Sequence, residues 1–410
     1  MLSTARLEES ANEKVIIGRY KYKMKSVILR SIFWINDFFH GSPIKKQYKD
    51  VKKIFENKTT DCANIKMEHL LDLLKYATTF SDFYKGTDSS NLHCFPVVNK
   101  AILIENHKRV AIPFEHIPEQ IGPLLIQRTS GSTGTPFAIP QDTRKRNRRV
   151  AELKYFGELV GFKSHDKLLQ LRIWTRMQHK SWWQAHKENI VPFDISNLGE
   201  ERMKELCKII DREKPICIRG YVSNFDIIAE YVRKNNIKFP SLKIAIAGSE
   251  ALQETTRNAV HQYIGCNIIS QYADEECGIL AQEAVETGNE RFYLNQGSYV
   301  FELLKLDSDE PAEYGQIGRI VVTDLFNYAF PIIRYDTGDT AIMARGDAIS
   351  NGYDYITNLY GRRADLIFKP DGTPISPMIL SRTLKYYSEI LQWQFIQESS
   401  QEYILRIIIR

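Results

Sequence analysis

Apolar positions recur at helical spacing through the first 120 residues, in Val27 to Phe39 and again in Met67 to Tyr76, ending near the turn Phe95-Pro96-Val97-Val98. These spacings predict a leading helical layer. From Leu124 onward the pattern changes to short β-rich runs: Leu124-Leu125-Ile126, Leu168-Leu169-Gln170-Leu171, Ile216-Cys217-Ile218, Leu242 to Ala247 and Asn267-Ile268-Ile269. Helical stretches separate them. Strands alternating with helices build a mostly parallel sheet, because the crossover helices come to lie over its faces. An α/β core follows.

After residue 290 the apolar runs are closely spaced with turn residues between them: Ser298 to Leu306, Gly318 to Thr323, Ile332 to Arg334 and Thr340 to Met343. Antiparallel strands are the natural product of that spacing. From Gly361 the chain reads as a hairpin over Asp365 to Ile375, a helix from Pro377 to Glu389, and strands at Trp393 to Gln397 and Tyr403 to Ile409. The expected organisation is a large domain over 1–361, led by the helical layer of 1–120, and an incomplete small α+β domain over 362–410. No internal repeat or low-complexity tract interrupts it.

Composition narrows the partners. With 43% hydrophobic and 26% charged residues the 410-residue chain is of ordinary globular type. Its net charge of +5 is mild and spread out, unlike the basic stripe of a nucleic-acid binder. The six cysteines show no paired spacing, so free thiols in a reducing cytoplasm are expected rather than disulfides. His179, His186 and His261 have no ligand spacing with them, so no zinc site is expected. Glu8, Glu9 and Glu13 precede any apolar run, which is wrong for a secretory signal. Ser26 to Phe39 contains Arg30 and Asp37 and falls short of the roughly 20 residues a spanning helix needs. It reads as an amphipathic core helix, with a peripheral membrane contact through Lys21, Lys23 and Lys25 as the other reading.

The richest chemistry lies in Gln127-Arg128-Thr129-Ser130-Gly131-Ser132-Thr133-Gly134-Thr135-Pro136, between a strand and a helix beginning near Asp142. Gly131 and Gly134 let the backbone turn its N–H groups inward, and the hydroxyls of Thr129, Ser130, Ser132 and Thr133 add donors, a combination suited to a polyphosphate. It is not a Walker loop, because no Gly-Lys-Ser/Thr follows. Taken alone, the same composition also describes a flexible surface loop.

This loop resembles the signature of the adenylate-forming superfamily of acyl-CoA synthetases, peptide-synthetase adenylation domains and luciferases. Four more stretches resemble that family in its order: Ala247-Gly248-Ser249-Glu250-Ala251-Leu252, Gln271-Tyr272-Ala273-Asp274-Glu275-Glu276, Arg334-Tyr335-Asp336-Thr337-Gly338-Asp339 and Gly361-Arg362-Arg363-Ala364-Asp365. Phe95-Pro96-Val97-Val98-Asn99-Lys100, Arg219-Gly220-Tyr221-Val222-Ser223 and Gly318 to Leu325 look most like the phenylacetate-CoA ligase branch. They lean toward its CapK-type relatives, which are linked to capsular polysaccharide synthesis.

The resemblance implies a large domain with a helical layer, mostly parallel sheets and a distorted β-barrel. It further implies that Thr129, Ser130, Gly131, Ser132, Thr133 and Gly134 grip the phosphates of ATP, and that Glu276 helps hold Mg²⁺. Gly248, Ser249, Glu250 and Tyr272 would line adenine, Asp339 would bind the ribose, and Arg362 would reach the ribose or α-phosphate side. A small carboxylic acid is then activated as acyl-AMP and passed to coenzyme A or a carrier thiol. Ala273, Glu275 and Ala364 depart from the family pattern, and Glu275 would either recruit a second cation or repel phosphate. The small-domain lysine of relatives lies beyond residue 410, so slow adenylation is expected.

Two other readings stay open at this stage: transfer of an acyl or aminoacyl group to a sugar amine, and a non-catalytic nucleotide-binding relative. A homodimer also stays open. The run Arg144-Lys145-Arg146-Asn147-Arg148-Arg149 reads as a solvated helix face, or as a guide for the coenzyme A 3′-phosphate. Trp174 to Trp183 is either an acyl-pocket wall or loop packing.

Overall fold

A computed structural model of the chain describes residues 24–56, 59–128, 137–174, 181–285, 291–362 and 367–371, and towards the end 374–375, 384, 387, 389–399 and 401–409. The predicted phosphate-loop residues Thr129, Ser130, Gly131, Ser132, Thr133 and Gly134 lie outside these, as does most of the predicted helix from Pro377. The chain forms two compact units. One comprises Met1–Lys52, Asn147–Tyr272 and Glu283–Gly288; the other comprises Lys53–Arg146, Ala273–Gln282 and Asn289–Arg410.

In the second unit, β1 (Leu125–Arg128) pairs antiparallel with β2 (Ala138–Gln141), Arg128 opposite Ala138, so strands flank the phosphate-loop motif on both sides. Asp142 then starts the helix Thr143–Leu159: its Oδ1 accepts the Lys145 N–H at 2.7 Å, satisfying one of the donors a helix start leaves open. Its Oδ2 accepts the N–H groups of Tyr328 and Ala329 at 2.6 and 3.1 Å.

The first unit holds the predicted α/β core. Strands β3 (Leu168–Arg172), β4 (Ile190–Asp194), β5 (Cys217–Tyr221), β6 (Ile244–Gly248) and, but for its last two residues, β7 (Asn267–Asp274) run in the order β4-β3-β5-β6-β7, all pairs parallel. Alternation along each strand divides its side chains between two layers. Leu169, Leu171, Ile218, Ala245, Ala247 and Ile268 pack with the helical residues Met203, Leu206, Phe225 and Ile228, whereas Leu168, Cys217, Ile244, Ile246 and Ile269 form a second cluster with Val160. Both faces are therefore covered, as parallel strands require.

One expectation is met only in part in this unit: Leu29, Phe33 and Trp34 are half-buried, Trp34 lying 5.9 Å from the Tyr48 ring. In the helix over 24–39 the apolar residues Met24, Ile28, Ile32, Ile35, Phe38 and Phe39 are exposed, from 51% to 78%. The polar residues Ser26 and Asp37 are buried instead. Asp37 is turned inward because its carboxylate accepts the N–H groups of Ile44 and Lys45, at 3.0 and 2.9 Å, where the next helix begins. Arg30 is drawn the same way by Asp166 at 2.7 Å. Helical periodicity located the helix correctly but not the side it buries.

His165 lies beside this helix, 5.1 Å from the Phe33 ring. Burial, with help from Lys154, Arg30 and Lys187, lowers its imidazole from the ordinary 6.5 to about 4. A depressed folded-state value means that the neutral form stabilises the fold above about 6.5, and that this contribution is lost as pH falls through about 4. His165→Asn suits the left-handed backbone at φ 62° and does not titrate. It should therefore flatten the fall in urea midpoint between pH 6.5 and 4; an unchanged slope would show that His165 has no part in it.

The second unit carries β8 (Gly278–Glu283) with all but its last residue, then β9 (Phe292–Leu294), β10 (Tyr299–Leu304), β11 (Ile317–Asp324), β12 (Tyr335–Ala344) and β13 (Tyr355–Arg362). The last five are antiparallel in the order β10-β11-β12-β13-β9. Ile332 to Arg334, expected as a strand, is not one: Arg334 adopts φ 50°, which breaks extended geometry just before β12. Its guanidinium is fixed by Glu302 at 2.9 Å and the Phe95 carbonyl at 2.9 Å. Two hairpins follow, β14 (Ile367–Phe368) with β15 (Pro374–Ile375) and β16 (Ile390–Gln397) with β17 (Tyr403–Ile409), matching the predicted strands there.

Candidate active site

In the second unit the turn from Asp274 to Gly278 presents Glu276. Asp274 shapes that turn by accepting the N–H groups of Cys277 and Gly278 on Oδ1, at 2.5 and 3.2 Å. Its Oδ2 is buried with no hydrogen-bond partner. Burial, then the neighbouring Glu276, pushes this carboxyl up to about 7 against the two backbone donors and Lys145. Glu276 has Lys100 at 3.5 Å. The amide of Gln127, from the strand ahead of the phosphate-loop motif, donates to Glu275, so this departure from the family pattern has a partner within the chain.

Lys100 reaches Glu276 because Phe95 to Lys100 is stitched to β12: Val98 N–H donates to the Arg334 carbonyl at 3.0 Å and Asp336 N–H donates to the Val98 carbonyl at 2.7 Å. The other side of the turn is held by Lys145. This ammonium is fully buried, 2.6 Å from the equally buried Asp324, and donates to the Tyr299 hydroxyl at 3.0 Å. Tyr299 in turn donates to the Cys277 carbonyl at 2.7 Å.

The basic run is thus not a solvated face. Lys145 and Arg148 are buried, Arg148 donating to Gln47 at 2.9 Å and pairing with Asp50 at 2.5 Å within the first unit. Arg144 lies over the Tyr328 ring at 4.7 Å, and Arg146 is the exposed cation of the run. Charge spacing alone carries no information about the carboxylates that tertiary folding brings to it.

Asp339 and Arg362 are directly opposite one another on β12 and β13. Arg362 Nε stands 3.6 Å from the Asp339 carboxylate and Nη1 donates to the Thr337 carbonyl at 3.3 Å. Gly338, at φ 80°, lets this happen, since a Cβ there would stand 3.2 Å from Arg362 Nη1. Tyr335 is buried, and burial followed by the charges of Glu276 and Asp274 raises its phenol, with Arg362 opposing. Glu276, Tyr335 and Arg362 therefore share one electrostatic neighbourhood. The motifs containing Tyr335 and Lys100 give neither a role, and charge spacing gives none to Lys145; the contacts do.

In the first unit, β6 ends in Gly248, and Ser249 adopts φ 64°, an uncommon conformation for a side chain bearing Cβ. Glu250 holds the turn by accepting the Ser223 N–H and hydroxyl at 2.6 and 3.0 Å. A Cβ on Gly248 would stand 3.4 Å from the Gln271 carbonyl, so little room remains there. Tyr272 lies on β7, 8% exposed. The structure thus assembles Glu276, Asp339 and Arg362 inside one unit, and Gly248, Ser249, Glu250 and Tyr272 inside the other.

The carboxylates of the second unit have the chemistry a magnesium nucleotide needs. Asp339 is half-buried with the Arg362 cation 3.6 Å away, and its carboxylate is the kind of acceptor a ribose diol requires. Among the described residues no group of three or more His, Cys, Asp or Glu could hold a metal ion. Mg²⁺ does not need one, because it keeps water and phosphate oxygens and takes one or two carboxylates, a role Glu276 can fill.

No family model matches the chain. It is 22% identical over 385 residues to Protein CapK of Staphylococcus aureus, covering 89% of this chain and 82% of that one. It is 28% identical over 252 residues to phenylacetate-coenzyme A ligase of Thermus thermophilus, covering 57% and 52%. Among solved structures, 2-hydroxyisobutyryl-CoA ligase in the postadenylation state with its acyl-AMP aligns at TM-score 0.64 and 18% identity, over 85% of this chain and 78% of that one. The open conformation of that ligase, with acyl-AMP and coenzyme A, aligns at 0.60 and 18%, over 84% and 79%. The fold is that of the adenylate-forming ligases. Among the described residues no helix is long and apolar enough to cross a membrane.

Proposed function

We propose that this chain activates a carboxylic acid with ATP, forming an acyl-AMP and pyrophosphate, and then passes the acyl group to coenzyme A or another thiol. In the first step a carboxylate oxygen bonds to the α-phosphorus as the bond to the pyrophosphate oxygen breaks. In the second, the thiol sulfur bonds to the acyl carbon and AMP leaves. The observation that supports this best is the cross-strand pair of Asp339 and Arg362, with Glu276 held by Lys100 in the same unit. The resemblance to the relatives' motifs in chain order points the same way.

Each residue then has a defined task. Asp339 accepts hydrogen bonds from the ribose hydroxyls, and Arg362 balances charge on the α-phosphate side. Gly248, Ser249, Glu250 and Tyr272 receive adenine. Thr129, Ser130, Ser132 and Thr133, with the amides at Gly131 and Gly134, supply donors to the β- and γ-phosphates. Glu276 would hold Mg²⁺, and Lys100 would keep that carboxylate oriented. When bound, the metal neutralises phosphate charge and lowers the barrier to attack by an anionic carboxylate.

Calorimetry with Mg–ATP tests the reading. The parent protein should bind, and Asp339→Asn should bind on the order of 10- to 100-fold more weakly, since it loses a hydrogen bond to a charged acceptor. No binding by folded parent protein, or equal binding by both, would end the proposal.

A further inference from the structure

Arg219 lies near the carboxyl end of β5, with Gln170 of β3 and Ile246 of β6 as its register partners. Alternation sets it on the same face as Cys217, above the apolar layer of Leu168, Ile244, Ile246 and Ile269. A guanidinium in such surroundings is ordinarily matched by a carboxylate, because an unpaired buried charge is costly. Arg219 has no such match. Its Nε is buried without an acceptor, and among the described residues its side chain makes no hydrogen bond or ion pair. Part of its surface remains reachable from solvent. Burial draws the guanidinium below its ordinary range, and the Cys217 thiol is what opposes this. The Gln170 side chain beside it makes no hydrogen bond either, so two donors stand together.

Their position is informative. In open α/β sheets, ligands bind outside the carboxyl ends of the strands. Two residues beyond Arg219, Tyr221 pairs in register with Gly248 of the candidate adenine turn, a step of about 6–7 Å along the strand. Arg219 is therefore one step below the nucleotide turn within the same sheet, at a distance a short acid can span.

We propose that Arg219 selects acids carrying a second carboxylate, its guanidinium binding the distal group while Gln170 donates alongside. This rests on the acid-activating reading above and names its substrate class: a short dicarboxylic acid, of which one carboxylate reacts and the other is held. A distal carboxylate satisfies the buried guanidinium bidentately, which a neutral tail does not do. The site then discriminates by leaving its own donors unpaired when a monocarboxylate enters.

The test is calorimetric binding of malonate, succinate, glutarate and adipate, each beside the monocarboxylate of equal carbon number, to the parent protein, Arg219→Gln and Arg219→Leu. Mg–ATP is titrated separately. At least one dicarboxylate should bind the parent about 10-fold or more tightly than its monocarboxylate partner. Both variants should weaken that dicarboxylate on the order of 10- to 100-fold while leaving the monocarboxylate and Mg–ATP unchanged. Ligand-free Arg219→Leu should also melt higher than the parent, because an uncompensated cation is gone.

Three results would overturn the inference: a parent with no preference for any dicarboxylate, variants that weaken both acid classes alike, which would put Arg219 on the reacting carboxylate, or variants that weaken Mg–ATP, which would put it on phosphate. Failure of the parent to bind Mg–ATP while dicarboxylate affinity still tracks Arg219 would overturn the ligase reading and leave the anion site standing.

Discussion

Lys145→Ala should cost about 3–5 kcal/mol of folding stability, the range for removing one partner of a buried ion pair. The size follows from what is left behind. Asp324 is fully buried, and burial together with the charge of Asp324 raises the Asp142 carboxyl, so the alanine variant strands negative charge in a region that solvent does not reach. Replacing both members, Lys145→Met with Asp324→Leu, should recover most of the loss, since two well-packed apolar groups carry no desolvation cost. Urea denaturation at constant pH reads both. A single variant within about 1 kcal/mol of the parent, well under the usual cost of such a site, would mean that Lys145 is solvated in solution.

The second large effect is on chemistry. Glu276→Gln should lower acid-dependent pyrophosphate release by about 10²- to 10³-fold, the scale for losing one electrostatic contact to the reacting phosphates. The melting temperature should hardly move, because the Glu276 carboxylate has Lys100 as its ion-pair partner among the described residues, at a long 3.5 Å, and glutamine fills nearly the same volume. Raised magnesium should restore part of the rate if the lost group is a metal contact. An equal rate in parent and variant at saturating Mg–ATP would remove Glu276 from the reaction. The Lys145→Met, Asp324→Leu pair offers an independent comparison, because the Tyr299 link to the Cys277 carbonyl loses its lysine end without any change at Glu276 itself.

Local chemistry made much of this legible beforehand. The runs at Leu168, Ile216, Leu242 and Asn267 became parallel strands, because β-branched and apolar segments separated by helical stretches have few other ways to cover both faces. Asp142 began its helix where predicted, since a cap acts within three residues and its signal is entirely local. Asp339 and Arg362, picked from separate motifs, meet as register partners. Ile332 to Arg334 failed as a strand because the positive φ at Arg334 is stabilised by Glu302 and Phe95, residues remote in sequence.

The sequence by itself therefore determined the order of elements, the parallel core and the antiparallel region after it, all of which depend on periodicity or on short motifs. Tertiary structure decided which charges are buried and with whom. Lys145 and Arg148 left the solvated face for Asp324 and Asp50, the 24–39 helix buried Ser26 and Asp37 while leaving most of its aliphatic residues exposed, and Arg219 was left without a counter-ion among the described residues. The physical reason is common to all three: the free energy of a charge depends on partners and solvent within a few ångströms in space, and spacing along the chain does not encode those neighbours.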